Sequence, residues 1–330
     1  MNLLSVGHFH PPNVIDNAFL ESLDIGTDDA WITERVGIAR RHTVLPLDYI
    51  RQTRNRDVRA ALEAAELSNA ETGALAAKMA LSRAGLTTKD IGMVIAGGCS
   101  PDECIPAEAC RIAEELEINA PAMDLNSACS SFCMQLHWLF NTKPEALPEY
   151  VLIVNPENST RVVDYSDRSS CVLWGDGTTA AIVSPRQPGR FRITHTLLRG
   201  DPSGADKVKV PRAGHFTQQG AAVQSFAIKR GTETYLALRD AYLKRPGTEA
   251  DQLTLIGHQA NLRMLESVQR RAEVSDERHL YNVDRRGNCG AAGAPSVLSE
   301  RWDDSDALGQ AVAICVVGSG LTWSGALLER

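Results

Sequence analysis

The sequence predicts an α/β fold made of two similar halves, and three observations lead to this prediction. The segment PAMDL (121–125) is a short apolar strand that leads into a helix, and TLIGHQAN (254–261) has the same order in the second half. The segments VIAGGC (94–99) and ICVVGSG (314–320) are also alike, each a buried strand that ends in glycine. Strand-then-helix units arranged similarly in both halves indicate an internal duplication. We expect a first half at 1–172 and a second half at 173–330.

The composition limits the class of protein. The chain has 330 residues, of which 43% are hydrophobic and 23% are charged, as in soluble globular proteins. A net charge of -7 argues against nucleic acid as the main partner. The sequence lacks an apolar run of about 20 residues and a secretory signal, which predicts a protein that does not span a membrane. Eight cysteines without a CxxC pair indicate reduced thiols and no zinc site, so we expect a cytoplasmic enzyme.

The first half alternates strands and helices. A short strand at the start ends in a Pro-Pro loop, and a capped helix follows at 28–38, on which Trp31 and Arg35 lie four residues apart and so present together. His8 and His10 could bind a metal, but no further ligands lie nearby and a loop pair is favoured. The remaining predicted elements are a helix at 68–86, a strand at 91–96, a helix at 106–118, a strand at 121–125, a helix at 129–140 and a strand at 149–158.

A strand-rich stretch at 167–185, which contains a tight GDG turn, spans the expected boundary between the halves. Residues 199–222 are rich in glycine, proline and polar residues, which predicts a surface excursion. A helix is expected at 231–244, a strand and helix at 251–271, and a glycine-rich loop with a helix at 283–302. Two strands around a glycine turn complete the chain at 310–330.

Cys129 is the most suggestive single residue. Its apolar neighbours recur at spacings of three and four, which places Cys129 at the start of a helix face that also carries Phe132 and Leu136. Unpaired N–H groups and the helix dipole favour negative charge at that end, as a thiolate nucleophile requires. An inert, buried cysteine is the alternative.

Three further polar features lie at strand ends or in glycine loops: His258, Asn288 and the turn Gly318–Gly320. In an α/β fold such positions build the site. A histidine and an asparagine can together hydrogen-bond a thioester enolate, and the backbone N–H groups of Cys129 and Ser319 can hold an oxyanion. A core histidine, a turn asparagine and a simple hairpin remain the alternatives at this point.

Six segments together resemble the β-ketoacyl-acyl-carrier-protein synthase III family of the thiolase superfamily. These segments are AWITERVGIARRH (30–42), NSACSSF (126–132), WGDGTTAAIV (174–183), GHQANLRML (257–265), RRGNCGAAGAPSVL (285–298) and VGSGLTWSGALL (317–328). The resemblance covers nearly the whole chain. It implies a five-layered αβαβα thiolase-like fold, an acyltransferase activity and, usually, a homodimer.

By matching position, the resemblance implies that Cys129 is the acylated nucleophile and that His258 and Asn288 complete a catalytic triad. It also implies that Trp31 and Arg161 sandwich the adenine of coenzyme A, with Arg35 beside them. An indole and a guanidinium both stack on a base, which suits that role. A half-buried helix anchor is the alternative for Trp31.

The resemblance implies two further sets of contacts. Ile105 matches a position that reaches across the dimer to line the acyl pocket. Arg263, Arg270 and Arg271 match positions that dock acyl carrier protein. Arg263 and Arg270 are seven residues apart and so share a helix face, which suits an acidic partner. An ordinary solvated helix face is the alternative.

The sequence departs from the family near the cysteine. Gly257 replaces a common proline, Cys289-Gly290 a Thr-Ser pair, Ser319 the middle one of three glycines, and Val317 a phenylalanine. We expect Val317 and Gly290 to remove bulk beside Cys129 and to admit a larger or different acyl group in the pocket. The long excursion and these changes favour a specialised relative, in secondary metabolism rather than in acetyl-primed fatty acid synthesis.

The expected reaction is a two-stage acyl transfer that forms a carbon–carbon bond. An acyl-CoA or another acyl thioester loads Cys129, and a malonyl thioester on acyl carrier protein then loses carbon dioxide and attacks the acyl group. We expect no permanently bound cofactor and no metal; coenzyme A enters as a substrate thioester. The alternatives are acyl transfer to an oxygen or nitrogen acceptor without condensation, and a catalytically silent partner that binds a carrier protein.

Overall fold

The protein is described by a computed structural model of residues 1–330. The β-strands are β1 (Asn2–Phe9), β2 (Asn13–Asp16), β3 (Arg40–Thr43), β4 (Met93–Ala96), β5 (Ala122–Asp124), β6 (Val151–Glu157), β7 (Gly177–Ser184), β8 (Phe191–Gly200), β9 (Val208–Lys209), β10 (Thr217–Gln218), β11 (Leu253–Gly257), β12 (His279–Leu280), β13 (Ala311–Gly318) and β14 (Thr322–Glu329). The α-helices are α1 (Asn17–Ser22), α2 (Asp29–Arg35), α3 (Leu47–Thr53), α4 (Val58–Ala64), α5 (Asn69–Ala84), α6 (Glu108–Glu115), α7 (Ser131–Phe140), α8 (Arg168–Cys171), α9 (Gly220–Leu243), α10 (Leu262–Ala272), α11 (Val283–Arg286), α12 (Gly293–Glu300) and α13 (Ser305–Leu308). No helix has both the length and the apolar composition needed to cross a membrane.

The main sheet repeats one strand order twice. Its 10 strands run in the order β12-β11-β13-β14-β8-β1-β7-β6-β4-β5. From the central pair β1 and β8 outward, each half places its own first, fifth, fourth, second and third strands side by side. The second strand of each half pairs in parallel with the third and fourth, and the other pairs are antiparallel. The duplication expected from the sequence is therefore present in the topology.

The strand order also locates the boundary between the halves. β7 completes the first set of five strands, and β8 opens the second. We propose that the halves divide in the connection at 185–190. The division at 172/173 expected from the sequence falls one strand too early, because the strand after the GDG turn was assigned to the second half.

The elements stack in five layers, which confirms the predicted fold class. Helices α7 and α12 form the middle layer, and the inward side chains of both half-sheets pack on them in one core. Helices α5 and α6 cover the outer face of the first half-sheet, and α9 and α10 cover that of the second. Alternate residues of β13 show the pattern, because Ile314 belongs to the middle core while Ala313 and Cys315 face α9 and α10.

Local sequence explains the helix ends that matter most. Ser68 and Glu71 form a capping box at the start of α5, and Gly85 ends it in a left-handed conformation with φ of 67°. Helix α9 begins at Gly220 rather than at the predicted Gly231. Phe226, in the second turn of this helix, packs against Trp323 of β14, with the ring centres 5.5 Å apart. The predicted excursion therefore ends earlier than the composition indicated.

Candidate active site

A cavity of about 440 Å³ contains the predicted catalytic residues. Cys129, His258 and Asn288 all line its wall. They follow β5, β11 and α11 respectively, so the first half contributes the cysteine and the second half contributes the histidine and the asparagine. The topology therefore brings together three residues that are far apart in the sequence.

Cys129 lies in a tight loop immediately before α7, not in its first turn as the sequence predicted. The preceding Ala128 has a φ of 51°, a left-handed conformation that costs a non-glycine residue on the order of 1 kcal/mol. Two short side chains hold this loop: Asn126 Oδ1 accepts the Ala128 N–H at 2.7 Å, and Ser131 Oγ accepts the Ser127 N–H at 2.9 Å. Cys129 is 8% exposed, and this small exposed part belongs to the cavity wall.

His258 follows the carboxyl end of β11 and has an apolar setting. Burial lowers the pKa of His258 to about 4, so the ring is neutral at pH 7. Its Nδ1 atom is buried and has no hydrogen-bond partner. No carboxylate pairs with the ring. A neutral imidazole of this kind can donate one hydrogen bond to a substrate oxygen without carrying a charge.

Asn288 joins the two halves through its backbone. Its N–H donates to the Leu173 carbonyl at 2.8 Å, and its own carbonyl accepts the Gly175 N–H at 3.1 Å. The side-chain Oδ1 accepts the Gly290 N–H at 3.1 Å, which fixes the orientation of the amide. The Nδ2 group donates to no acceptor in the chain, so it is free to bond a ligand in the cavity.

The glycine turn after β13 packs directly against the cysteine loop. A Cβ atom on Gly318 would lie 2.6 Å from the Ser127 carbonyl oxygen and 2.9 Å from the Ser130 nitrogen, so only glycine fits there. Gly318 and Ser319 both line the cavity. Neither the Cys129 N–H nor the Ser319 N–H donates a hydrogen bond within the chain. Two residues that line the cavity, Cys129 and Ser319, therefore have a backbone N–H without a partner in the chain.

The cavity mouth carries an aromatic ring between two cations. The guanidinium carbons of Arg35 and Arg168 lie 4.9 Å and 5.0 Å from the centre of the Trp31 ring. All three residues line the cavity. An indole flanked by guanidinium groups offers flat stacking surfaces and positive charge, which suit a base and a phosphate group.

Comparisons with known proteins agree with this geometry. A family model for 3-oxoacyl-[acyl-carrier-protein] synthase III matches residues 123–202, and one for the C-terminal part of the same family matches residues 243–330. The β-ketoacyl-[acyl-carrier-protein] synthase III of Sulfurovum sp. (strain NBC37-1) is 31% identical over 98% of this chain and 94% of its own length. That of Aliarcobacter butzleri (strain RM4018) is 31% identical over 98% of this chain and 96% of its own length. The chain belongs to the β-ketoacyl-acyl-carrier-protein synthase III family.

Solved structures of the synthase III family have the same fold. The 3-oxoacyl-[acyl-carrier-protein] synthase III of Aquifex aeolicus VF5 has a TM-score of 0.85 and 26% identity, and it covers 100% of this chain and 99% of its own. The priming β-ketosynthase of the R1128 polyketide pathway has a TM-score of 0.82 and 26% identity, with coverage of 100% and 96%. The resemblance noted in the sequence is therefore confirmed.

One predicted contact of this synthase III member is wrong. Arg161 is 2% exposed, and its guanidinium forms an ion pair with Asp102 and donates to Asn69 Oδ1 at 3.1 Å, so it does not reach the cavity. Arg168 is the cation that faces Trp31 instead. Arg168 was not among the residues predicted from the sequence to bind coenzyme A. Its position shortly before the family segment that begins at Trp174 could have indicated it.

The two positions that were expected to enlarge the acyl pocket differ in outcome. Val317 lines the cavity and is 6% exposed. Gly290 does not line it, because the carboxylate of Glu157 occupies the adjoining space, and a Cβ atom on Gly290 would lie 2.4 Å from Glu157 Oε1. The prediction that Gly290 makes room for an acyl group is therefore wrong.

Ile105 lies outside the cavity of this chain, and its side chain is 85% exposed.

The three arginines of α10 have unequal surroundings. Arg263 donates to the carbonyl oxygens of Thr33 at 2.8 Å and Glu34 at 3.1 Å, so it braces the helix that carries Trp31. Arg270 and Arg271 are exposed and form no ion pair. Arg270 Nη2 donates to Ser267 Oγ at 3.3 Å within the helix, so of the two exposed arginines only Arg271 has no bond to a side chain.

The histidines near the amino terminus have partners within the fold. His8 Nδ1 lies 2.8 Å from Ser299 Oγ, and His10 Nδ1 lies 3.2 Å from the Asp176 carbonyl oxygen.

Phe216, within the predicted surface excursion, is 6% exposed and lines the cavity beside Trp174. The excursion thus supplies part of a cavity wall, which its polar composition did not indicate.

Proposed function

We propose that the protein condenses an acyl thioester with a malonyl thioester held on acyl carrier protein and releases a β-ketoacyl product and carbon dioxide. One observation carries this proposal. Cys129, His258 and Asn288 line the same cavity, next to two backbone N–H groups that have no other partner. The family of the chain supports the same reaction.

In the first stage, Cys129 Sγ attacks the carbonyl carbon of an acyl-CoA. The amino-terminal end of α7 favours negative charge at the sulfur. The N–H groups of Cys129 and Ser319 hold the oxyanion of the tetrahedral intermediate, and removal of one such donor typically costs 10²–10³-fold in rate. The thiolate of coenzyme A then leaves, and the acyl group stays on Cys129.

In the second stage, the malonyl thioester enters the same cavity. The neutral ring of His258 and the free Nδ2 of Asn288 donate hydrogen bonds to its thioester carbonyl oxygen. Because this oxygen gains charge as carbon dioxide leaves, the two donors stabilise the enolate more than the substrate. The enolate carbon attacks the acyl-Cys129 carbonyl, and Cys129 leaves as a thiolate.

The cavity mouth supports coenzyme A as the carrier of the first substrate. The Trp31 ring is the stacking surface for the adenine, and Arg35 and Arg168 lie against it and carry the positive charge that phosphate groups require. Coenzyme A is a substrate in this scheme, and the enzyme holds no permanent cofactor.

Exposed groups support two partners. Arg270 and Arg271 form a small positive face on an acidic chain, which suits the acidic surface of acyl carrier protein. β5 is an edge strand of the main sheet, and Met123 on it is 37% exposed, so a second copy of the chain can pair there as a homodimer that receives Ile105. The free cysteines favour the cytoplasm.

The identity of the acyl group belongs to the same proposal. Val317 leaves more room beside Cys129 than the phenylalanine common in the family, so the enzyme accepts a primer larger than acetyl. The similarity to a priming ketosynthase of a polyketide pathway supports a role in secondary metabolism.

The reaction is tested by supplying acyl-CoA and malonyl-acyl carrier protein and measuring both Cys129 acylation by intact mass and release of carbon dioxide. We expect both from the wild type, neither from Cys129→Ala, and acylation with slow condensation from His258→Ala and Asn288→Ala. Acylation followed by transfer to an oxygen or nitrogen acceptor, without carbon dioxide, would contradict condensation. No acylation by any thioester in a panel would indicate a silent carrier-protein partner.

A further inference from the structure

A second thiol touches the proposed nucleophile. Cys99 Sγ lies 3.5 Å from Cys129 Sγ, although the two residues are 30 positions apart in the sequence. A disulfide requires the sulfurs at about 2.05 Å, so a further approach of about 1.5 Å would join them. Side-chain rotation moves a cysteine sulfur by at least this distance.

The backbone holds the two sulfurs as neighbours. Cys99 follows β4 and Cys129 follows β5, and these parallel strands pair up to their carboxyl ends, at Ala96 and Asp124. The Leu125 N–H then donates to the Ala96 carbonyl at 2.8 Å. Beyond it, Asn126 Nδ2 donates to the Gly98 carbonyl at 2.8 Å. Hydrogen bonds that continue beyond the paired strands therefore hold together the two loops that carry the thiols.

Cys99 is also fixed from the opposite side. Its N–H donates to Glu157 Oε2 at 3.0 Å, and Glu157 Oε1 accepts the Ala291 N–H at 2.7 Å. Glu157 is fully buried, so this anchor does not depend on solvent. The fold therefore fixes the backbone of Cys99 beside the loop of Cys129.

The two thiols differ in their relation to the cavity. Cys129 lines the cavity and Cys99 does not, so a small reagent in the cavity reaches Cys129 first. The contact with Cys129 and burial raise the pKa of the Cys99 thiol, which keeps Cys99 protonated in the resting enzyme. Cys129 is therefore the thiol that reacts with a reagent in the cavity, and Cys99 is the thiol that reacts with the oxidised Cys129.

We propose that Cys99 is a resolving thiol for Cys129 and that the pair is a site of reversible modification by hydroperoxides. The Cys129 thiol releases its proton, and the thiolate attacks a peroxide oxygen. The O–O bond breaks, Cys129 becomes a sulfenic acid, and the second oxygen takes up that proton and leaves as water or an alcohol. Cys99 sulfur then attacks the Cys129 sulfur, the S–O bond breaks, and the oxygen leaves as water with the Cys99 proton. The sum is two thiols and one hydroperoxide giving one disulfide and the reduced peroxide products.

The disulfide has a definite effect on the enzyme. It removes the nucleophile from the condensation cycle, but a dithiol restores it by exchange. Without Cys99, the sulfenic acid of Cys129 is oxidised further to sulfinic acid, which a dithiol does not reduce. This inference rests on the reactivity of Cys129 in the proposed function, and the test below separates the two.

The experiment treats the reduced wild type, Cys99→Ser and Cys104→Ser with hydrogen peroxide and reads intact mass, tryptic peptides and activity before and after a dithiol. Trypsin cuts at Arg111 between the two cysteines, so a crosslink joins peptide 90–111 to peptide 112–161, and fragmentation identifies the cysteines. Cys104→Ser is the matched control, because Cys104 is exposed and shares the first peptide.

We expect the wild type and Cys104→Ser to lose two hydrogens, to crosslink Cys99 to Cys129 and to regain activity with the dithiol. Cys99→Ser should instead gain oxygen on Cys129, with a recovered fraction of activity about tenfold lower. Sulfinic acid on Cys129 of the wild type without a crosslink, or equal recovery by Cys99→Ser, would overturn the inference. Failure of reduced wild type to acylate would reject the proposed function, while the mass of the oxidised protein would still decide on the disulfide.

Discussion

Replacing Gly318 by alanine should disable the proposed oxyanion site without removing any predicted catalytic side chain. The added Cβ would lie 2.6 Å from the Ser127 carbonyl oxygen, and ordinary contact begins at 3.4 Å, so the turn or the cysteine loop must move by about 0.8 Å. A hydrogen bond of about 2.9 Å to the Ser319 N–H would lengthen to about 3.7 Å, which is no longer a hydrogen bond. Loss of one oxyanion donor lowers the rate by about 10²–10³-fold.

The assay is the single-turnover rate of Cys129 acylation by acyl-CoA, followed by intact mass after rapid quenching. Thermal unfolding of Gly318→Ala is measured beside it, because overpacking also costs about 1–3 kcal/mol of stability. Gly231→Ala is the matched control: it lies in α9, and its Cβ would meet Val268 at an ordinary 3.4 Å. An acylation rate for Gly318→Ala within about twofold of the wild type would refute the role given to this turn.

Four further predictions concern the cavity mouth, the ion pair of Arg161, the histidine and the docking face. Arg168→Ala should raise the KM for acyl-CoA about fivefold with little change in kcat. Arg161→Met should lower the free energy of unfolding by about 1–3 kcal/mol, because the half-buried Asp102 and the buried Asn69 Oδ1 lose their hydrogen-bond donor. The pKa of His258 is about 4 in the folded chain, below its unfolded value of 6.5, so stability is lost as pH falls below 6.5. Chemical denaturation should show a loss of about 2 kcal/mol from this group between pH 7 and pH 5, and the loss should be absent in His258→Gln. Reversing the charge of Arg270 and Arg271 to Glu should raise the KM for malonyl-acyl carrier protein about tenfold and leave that for malonyl-CoA unchanged; equal effects on both substrates would contradict a docking role.

The architecture was largely predictable because it depends on patterns that recur. The alternation of buried strands and amphipathic helices, repeated in both halves, predicted a duplicated α/β fold, and the family resemblance implied its five layers. The exact division of the halves was not predictable from composition, since the strand at 177–184 pairs with β1 and β6, and pairing over such distances leaves no local signal.

The candidate site was predictable where a residue type, a strand end and a family motif coincided, as at Cys129, His258 and Asn288. It was not predictable where tertiary contacts decide. Arg161 and Arg168 are both arginines in polar stretches, and only the structure distinguishes the one paired with Asp102 from the one beside Trp31. Gly290 likewise suggested empty space, but that space holds a carboxylate from a distant strand.

The middle layer has a consequence for protein engineering. Seven residues of α7 are buried between the two half-sheets, so substitutions there disturb both cores at once. The cavity wall formed by Val208, Phe216 and the start of α9 lies outside this middle layer, and Val208 and Phe216 pack in a separate apolar cluster. A library of variants that is screened for new acyl primers should therefore vary that wall and Val317, and should leave helix α7 unchanged.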